Sequence, residues 1–82
     1  MPVNKDKLTK EEQNLLRNVG FRVQFFRKKN GMSQAELAEK SGLSDSTISH
    51  LESTNVYAVS VIALNRIAVA LSTPLKSLFE FE

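Results

Sequence analysis

Residues 33–52 read SQAELAEKSGLSDSTISHLE, and they carry the most informative pattern in the chain. Ser33 and Glu36 fit a capping box, in which each side chain bonds the backbone N–H of the other at the start of a helix. Gly42 ends that helix, and Ser44 caps the next one. The two helices are short and joined only by Gly42-Leu43, so the turn forces them to cross steeply.

The second of these helices, predicted over residues 44–52, has a narrow apolar edge and a wide polar face. Ile48 and Leu51 are its apolar positions, and the other side chains are mostly short and polar. Such a helix can pack by one edge and place its polar face in the major groove of DNA, while the helix before it braces against the DNA backbone. Residues 33–52 therefore predict a helix-turn-helix.

A longer helix is predicted before this motif. Thr9 and Glu12 form another capping box. Apolar residues then recur at helical spacing, namely Leu15, Leu16, Val19, Val23 and Phe26. Gly31 suits the left-handed end of this helix, and Gly20 inside it marks either a close helix crossing or a break after a separate N-terminal helix. Residues 1–8 have no periodicity and predict a flexible arm.

Two more helices are predicted after the motif. Ser60 caps the first of them. Its inward positions are predicted to be Val61, Leu64, Ile67, Ala68 and Leu71. Thr73-Pro74 opens a short last helix, with Pro at its first position, and only residues 78–82 alternate as a strand would. We therefore predict an all-α fold of five helices, with residues 9–82 as one domain.

Composition limits the class of protein. The 82 residues are 41% hydrophobic and 24% charged, which suits one domain with a modest core. The chain has no Cys, and its single His stands outside any metal-ligand pattern, so we expect no metal and no cofactor. We find no nucleophile–base pair and no Gly-rich phosphate loop, so we expect no enzyme. No apolar run suits a signal peptide or a membrane span, and we expect a cytoplasmic protein without a membrane partner.

The charge pattern gives only weak guidance about binding partners. The net charge of +2 would not by itself argue for nucleic acid. Residues 5–29 nevertheless carry eight Lys or Arg against three acids, so the basic end of the chain is the N-terminal one. A solvated helix face explains this asymmetry as well as a DNA-facing surface does.

The motif and the helices after it resemble the phage-repressor-like, or Xre, family of regulators. The residues that carry the resemblance are Gly31 to Ala38, Gly42-Leu43-Ser44, Thr47 to Glu52, Leu64, Ile67-Ala68, Ala70-Leu71 and Leu75 to Phe79. The resemblance implies a five-helix domain that binds a palindromic operator in double-stranded DNA as a homodimer, with the helix over residues 44–52 in the major groove.

Four residues on the outward side of that helix are candidates for reading base edges: Asp45, Ser46, Ser49 and His50. Serine hydroxyls can donate to or accept from several bases, His50 can donate to guanine acceptors, and Asp45 can accept from cytosine N4. For His50 the alternative is an exposed side chain with no role in binding.

Phosphate contacts are predicted at the edges of the motif. Gln34 opens the first motif helix, so its backbone N–H and side chain are placed for a phosphate, as the matching Gln is in similar proteins. Thr47 is either a phosphate contact or a methyl packed on the turn, and Tyr57 either a phosphate contact or a cover for the core. The remaining candidates are Arg27, Lys28 and Asn55.

The resemblance also implies that Arg27 pairs with Glu52, which would fix the helix over residues 44–52 against the scaffold and aim the Arg near a phosphate. Phe79 and Phe81 are candidates for a dimer interface, with Phe21 and Phe25 as a second option.

The competing hypothesis is an antitoxin-type module that binds a toxin partner and autoregulates its operon. A protein partner, whether a toxin or an antirepressor, is compatible with the apolar C-terminal end of the chain.

Overall fold

Four α-helices and one 3₁₀ helix form the structure, a computed structural model that describes residues 8–53 and 59–81. The helices are α1 (Lys10–Lys29), α2 (Gln34–Ser41), α3 (Asp45–Glu52), α4 (Val61–Ala70) and the 3₁₀ helix Leu75–Phe79. The predicted all-α class is confirmed, although the last helix is 3₁₀, and the two described ranges contain no strand. The predicted arm lies outside the described residues except for Leu8.

Each α-helix begins at the hydroxyl residue that the sequence indicates. The side-chain oxygen accepts the backbone N–H three residues later at 3.0–3.1 Å, and the four caps are Thr9, Ser33, Ser44 and Ser60. At Thr9 and Ser33 the Glu three residues later accepts the N–H of the cap in return. These bonds satisfy backbone donors that the first turn of a helix leaves without partners.

Past the ends of α1, α2 and α4 the chain turns through the left-handed conformation. The residues with positive φ are Gly31 (69°), Gly42 (71°) and Ser72 (53°). After Gly42, the N–H of Leu43 bonds the Ala38 carbonyl, which is the Schellman arrangement. Ser72 adopts the same conformation with a side chain, at a steric cost that glycine avoids.

The core lies where all five helices meet. Its largest fully buried side chains come from α1, α2, α3, α4 and the 3₁₀ helix, and they are Val19, Val23, Leu37, Ile48, Ile67 and Leu78. Because α2 and α3 are too short to be stable alone, their packing on this core holds the two motif helices in a fixed relation to each other.

Gly20 marks a close crossing, since α1 runs through it without a break. A Cβ atom at this position would overlap the carbonyl oxygen of Leu51, and it would lie 3.2 Å from the Leu51 carbonyl carbon. The last turn of α3 therefore rests directly on the backbone of α1.

Two side chains predicted to face the core are exposed. Leu15 is 45% exposed because it lies at the margin of the inward face of α1, one turn before the buried residues begin at Val19. Val61 is 67% exposed because it is the first residue of α4. Leu64 and Ile67, further along that helix, face the core.

Candidate DNA-binding surface

The N-terminal end of α2 and the outward side of α3 form an open cleft of about 380 Å³. Its lining residues are Gln34, Ala35, Asp45, Ser46, Ser49 and His50. The fold thus brings together the four candidates for base contacts and one candidate for a phosphate contact, which are up to 16 positions apart in sequence.

The orientation of α3 follows from its buried edge. Ile48 and Leu51 are buried, whereas the four candidates for base contacts are all exposed. Thr47 is half-buried, and its hydroxyl lies 2.9 Å from the hydroxyl of the cap Ser44. Thr47 therefore contributes to the start of α3, and its contact with a phosphate stays a prediction.

Arg27 and Glu52 join α1 to the last residue of α3. Arg27 donates from Nε to Glu52 Oε2 at 2.7 Å and from Nη2 to Oε1 at 2.9 Å. Its Nη1 donates to the Met32 carbonyl at 2.7 Å, so the same guanidinium also holds the loop before α2. The hydrogen bonds that Arg27 donates to Glu52 raise the pKa of Arg27, burial opposes that shift, and the negative charge of Glu52 adds to it.

This pair is largely shielded from water. The Arg27 side chain is 10% exposed and that of Glu52 is 1% exposed. With three nitrogens of Arg27 already bonded inside the protein, its guanidinium has little surface to offer a phosphate. Removing one partner of a buried pair leaves an uncompensated charge and typically costs about 3–5 kcal/mol of unfolding free energy.

Gln34 bonds the same carboxylate. Its Nε2 donates to Glu52 Oε1 at 3.2 Å, so one oxygen accepts from both Arg27 and Gln34. Sequence reasoning missed this contact, because the 18 positions between Gln34 and Glu52 carry no pattern that pairs them.

The other predicted site residues do not line this cleft or fall outside the described residues. Lys28 is exposed near the end of α1, whereas Asn55 and Tyr57 fall in residues 54–58, outside the described residues. Phe79 and Phe81 are 42% and 37% exposed at the C-terminal end.

Sequence reasoning also missed the outward face of α4. Its exposed apolar side chains are Val61, Ile62 and Val69. The apolar residues of α4 are spread over most of its circumference, so sequence alone did not separate inward from outward ones.

Residues 23–78 match the family model described as helix-turn-helix. The chain belongs to the Xre-type helix-turn-helix family of DNA-binding transcriptional regulators. This family match covers α2, α3 and α4 together with the last third of α1 and most of the 3₁₀ helix. None of the curated proteins is similar enough in sequence to count as a match.

Solved structures of other members of this family are similar to the chain. The restriction-modification controller protein C.AhdI from Aeromonas hydrophila is 33% identical, over 78% of this chain and 96% of that one, with a TM-score of 0.74. The N-terminal DNA binding domain of SinR from Bacillus subtilis is 30% identical, over 80% and 96% of the two chains, with a TM-score of 0.70. SinR, a master regulator for biofilm formation, was also solved in complex with DNA; that chain is 32% identical, over 76% and 98%, with a TM-score of 0.70.

Two features are absent from residues 8–53 and 59–81. No helix there is long and apolar enough to cross a membrane. In the same ranges, no group of three or more His, Cys, Asp or Glu side chains is arranged to hold a metal ion.

Proposed function

We propose that the protein is a sequence-specific transcriptional regulator that binds a palindromic operator in double-stranded DNA as a homodimer, with α3 in the major groove. The observation that carries the proposal is the cleft that unites the start of α2 with the outward side of α3. In this proposal residues 9–82 form the DNA-binding domain and residues 1–8 an arm.

Direct reading of bases is assigned to the exposed polar side of α3. Ser46 and Ser49 donate to or accept from base edges, His50 donates to guanine, and Asp45 accepts from cytosine N4. All four side chains are exposed on one wall of the cleft, which supports their assignment to one base-reading surface.

Phosphate contacts are assigned around that surface. Gln34 lies in the first turn of α2, where backbone N–H groups have no partner inside the helix and attract an anion. Lys28 supplies positive charge, and Thr47, Asn55 and Tyr57 complete the proposed set. We assign Arg27 to the scaffold instead, because its side chain is 10% exposed and bonded to Glu52 and Met32.

The homodimer is proposed to form through the C-terminal end. Phe79 and Phe81 expose apolar surface beside the 3₁₀ helix, and burying it against a second copy removes that surface from water. Phe25 is less suited, because its ring already packs against Phe26 at 5.2 Å between centroids and has the Arg22 guanidinium over it.

A second candidate function is an antitoxin-type module that binds a protein partner. The observation in its favour is the outward face of α4, where Val61, Ile62 and Val69 are each at least 65% exposed. Exposed apolar patches on a small protein are typical of interaction sites. This face is available for a partner in addition to the DNA-binding cleft.

The deciding experiment is selection from a randomised duplex pool, with sequencing and a salt titration of the bound fraction. We expect enrichment of a palindrome whose half-sites lie about one helical turn apart, which requires a sequence-specific dimer. Binding without enrichment, lost at modest salt, would contradict the proposal and favour the protein-partner function. A pull-down with the α4 face intact or mutated to Ser would then be the test of that second candidate.

A further inference from the structure

The carboxylate of Glu52 joins three elements at a single point. Its Oε1 accepts from Arg27 Nη2 on α1 at 2.9 Å and from Gln34 Nε2 on α2 at 3.2 Å, while Glu52 itself ends α3. Its side chain is only 1% exposed. The start of α2 and the end of α3 are therefore linked through one buried group.

The chemistry of this contact fixes which way the Gln34 amide is turned. A carboxylate oxygen only accepts, so the amide must present its NH₂ group to Glu52 and turn its own carbonyl oxygen away. One N–H is then used by Glu52, and the second N–H remains for an acceptor in the cleft that Gln34 lines. Without this contact, the phosphate itself would have to order the Gln34 amide, and binding would bear the entropic cost of fixing that side chain.

We propose that Glu52 is a positioning residue for DNA binding, which holds the Gln34 amide so that its second N–H and the backbone N–H groups at the start of α2 face the same phosphate. The inference rests on the proposed function, and specifically on the phosphate contact of Gln34. It adds a role for a buried residue that does not itself contact DNA.

Arg27 makes this arrangement compatible with a nearby phosphate. A buried carboxylate close to a phosphate would repel it, but the two nitrogens that Arg27 places on Glu52 compensate that charge. Glu52 can therefore orient Gln34 without opposing the anion. The same contact couples the phosphate-binding start of α2 to the position of α3. The depth of α3 in the major groove therefore depends on the contact between Gln34 and Glu52.

A double-mutant cycle measures this coupling. The variants Gln34→Ala, Glu52→Gln and the double variant are titrated with a labelled duplex of about 20 base pairs and arbitrary sequence at low salt, because a phosphate contact does not depend on sequence. Circular dichroism first establishes a temperature at which every variant is folded. Gln34→Ala should weaken binding about tenfold, as expected for a lost hydrogen bond to a charged group.

Glu52→Gln should weaken binding about fivefold in the wild-type background but less than about twofold once Gln34 is Ala, because the two residues act through one contact. Lys28 is a phosphate candidate outside this network, so Lys28→Ala provides the control background. In that background Glu52→Gln should still weaken binding about fivefold. A merely structural role of Glu52 predicts the same effect in all three backgrounds.

Equal effects of Glu52→Gln with and without Gln34, in a protein that binds the duplex normally, would overturn the positioning role and leave the proposed function standing. If Gln34→Ala does not reduce the affinity for the duplex, both the positioning role and the phosphate contact are overturned. No binding by the wild type would overturn the proposed function itself. If Glu52→Gln does not fold, Glu52→Asp replaces it in the cycle, since it keeps a negative charge near Arg27 while it withdraws the carboxylate from both Arg27 and Gln34 by one methylene.

Discussion

Gly20 on α1 lies against the carbonyl oxygen of Leu51 on α3, with no space for a Cβ atom between them. Glycine inside a helix normally costs about 1 kcal/mol of unfolding free energy relative to Ala. Here the residue allows the helix that lines the cleft to rest on the backbone of α1. The position of α3 is therefore determined by a contact on its buried side, at which only glycine fits.

Gly20→Ala should lower the unfolding free energy by about 2 kcal/mol or more, since the added methyl must push α3 away from α1. Urea denaturation followed by circular dichroism measures the change. The matched control is Asn18→Ala at an exposed position of the same helix, where the better helix former should be neutral or stabilising by a few tenths of a kcal/mol. Equal or higher stability of Gly20→Ala would contradict the close crossing.

Ser46→Ala and Ser49→Ala should relax base preference, because each removes a hydroxyl from the proposed base-reading surface, at about 0.5–1.5 kcal/mol for a single hydrogen bond. Sequences selected from the randomised pool should show a weaker base preference than those selected by the wild type at the operator positions that these residues contact. Asn65→Ala, an exposed neutral substitution on α4 outside this cleft, is the control and should leave the selected sequence unchanged. An unchanged preference in both Ser variants would mean that α3 does not read bases.

Ser72→Gly should raise the unfolding free energy by about 0.5–1 kcal/mol, because Ser72 occupies a left-handed conformation with φ of 53° that glycine adopts without a steric cost. Gly42→Ala, at φ of 71°, provides the opposite change and should destabilise by a similar amount. Thermal and urea unfolding of the two variants should move the midpoint in opposite directions. Movement in the same direction would argue against strain at Ser72.

Glu36 should make the start of α2 acid-sensitive. Hydrogen bonds from the Ser33 backbone and then from its side chain lower the pKa of Glu36. A lowered pKa in the folded state means that this stabilisation is present above the ordinary Glu pKa of about 4.3 and is lost as pH falls through the folded value. The stability difference between wild type and Glu36→Gln should therefore be constant near neutral pH and should shrink on acidification. A difference that grows on acidification would contradict the capping box.

Replacing both Phe79 and Phe81 by Ser should shift the protein from dimer to monomer in analytical ultracentrifugation, because the exposed rings are the proposed contact. Replacing Val61 and Val69 by Ser removes apolar surface from α4 and serves as the matched control. Dissociation by the α4 variant with no effect of the Phe variant would move the interface to α4. Far-UV circular dichroism should confirm that both variants remain helical.

Local signals in the sequence were sufficient for the helices and for most of the cleft. The hydroxyl caps at Thr9, Ser33, Ser44 and Ser60 and the turn at Gly42 depend on bonds within a few residues, so each could be identified without knowing the rest of the chain. The exposed side of α3 followed from the burial of Ile48 and Leu51 at helical spacing.

The inward and outward faces of the longer helices were less accessible to sequence reasoning. Periodicity fixes which side chains share a face, but the extent of that face depends on how far neighbouring helices reach. Leu15 and Val61 have the spacing of core residues, yet both side chains remain exposed.

The family, the helices with their caps, and the residues that α3 turns outward could all be identified from the sequence, because they depend on short-range hydrogen bonds and on helical periodicity. Tertiary structure decided that Gln34 and Arg27 meet on one oxygen of Glu52, and that Gly20 admits the backbone of Leu51. Those contacts join residues far apart in the chain, and they exist only because burial in one common core holds α1, α2 and α3 at fixed distances.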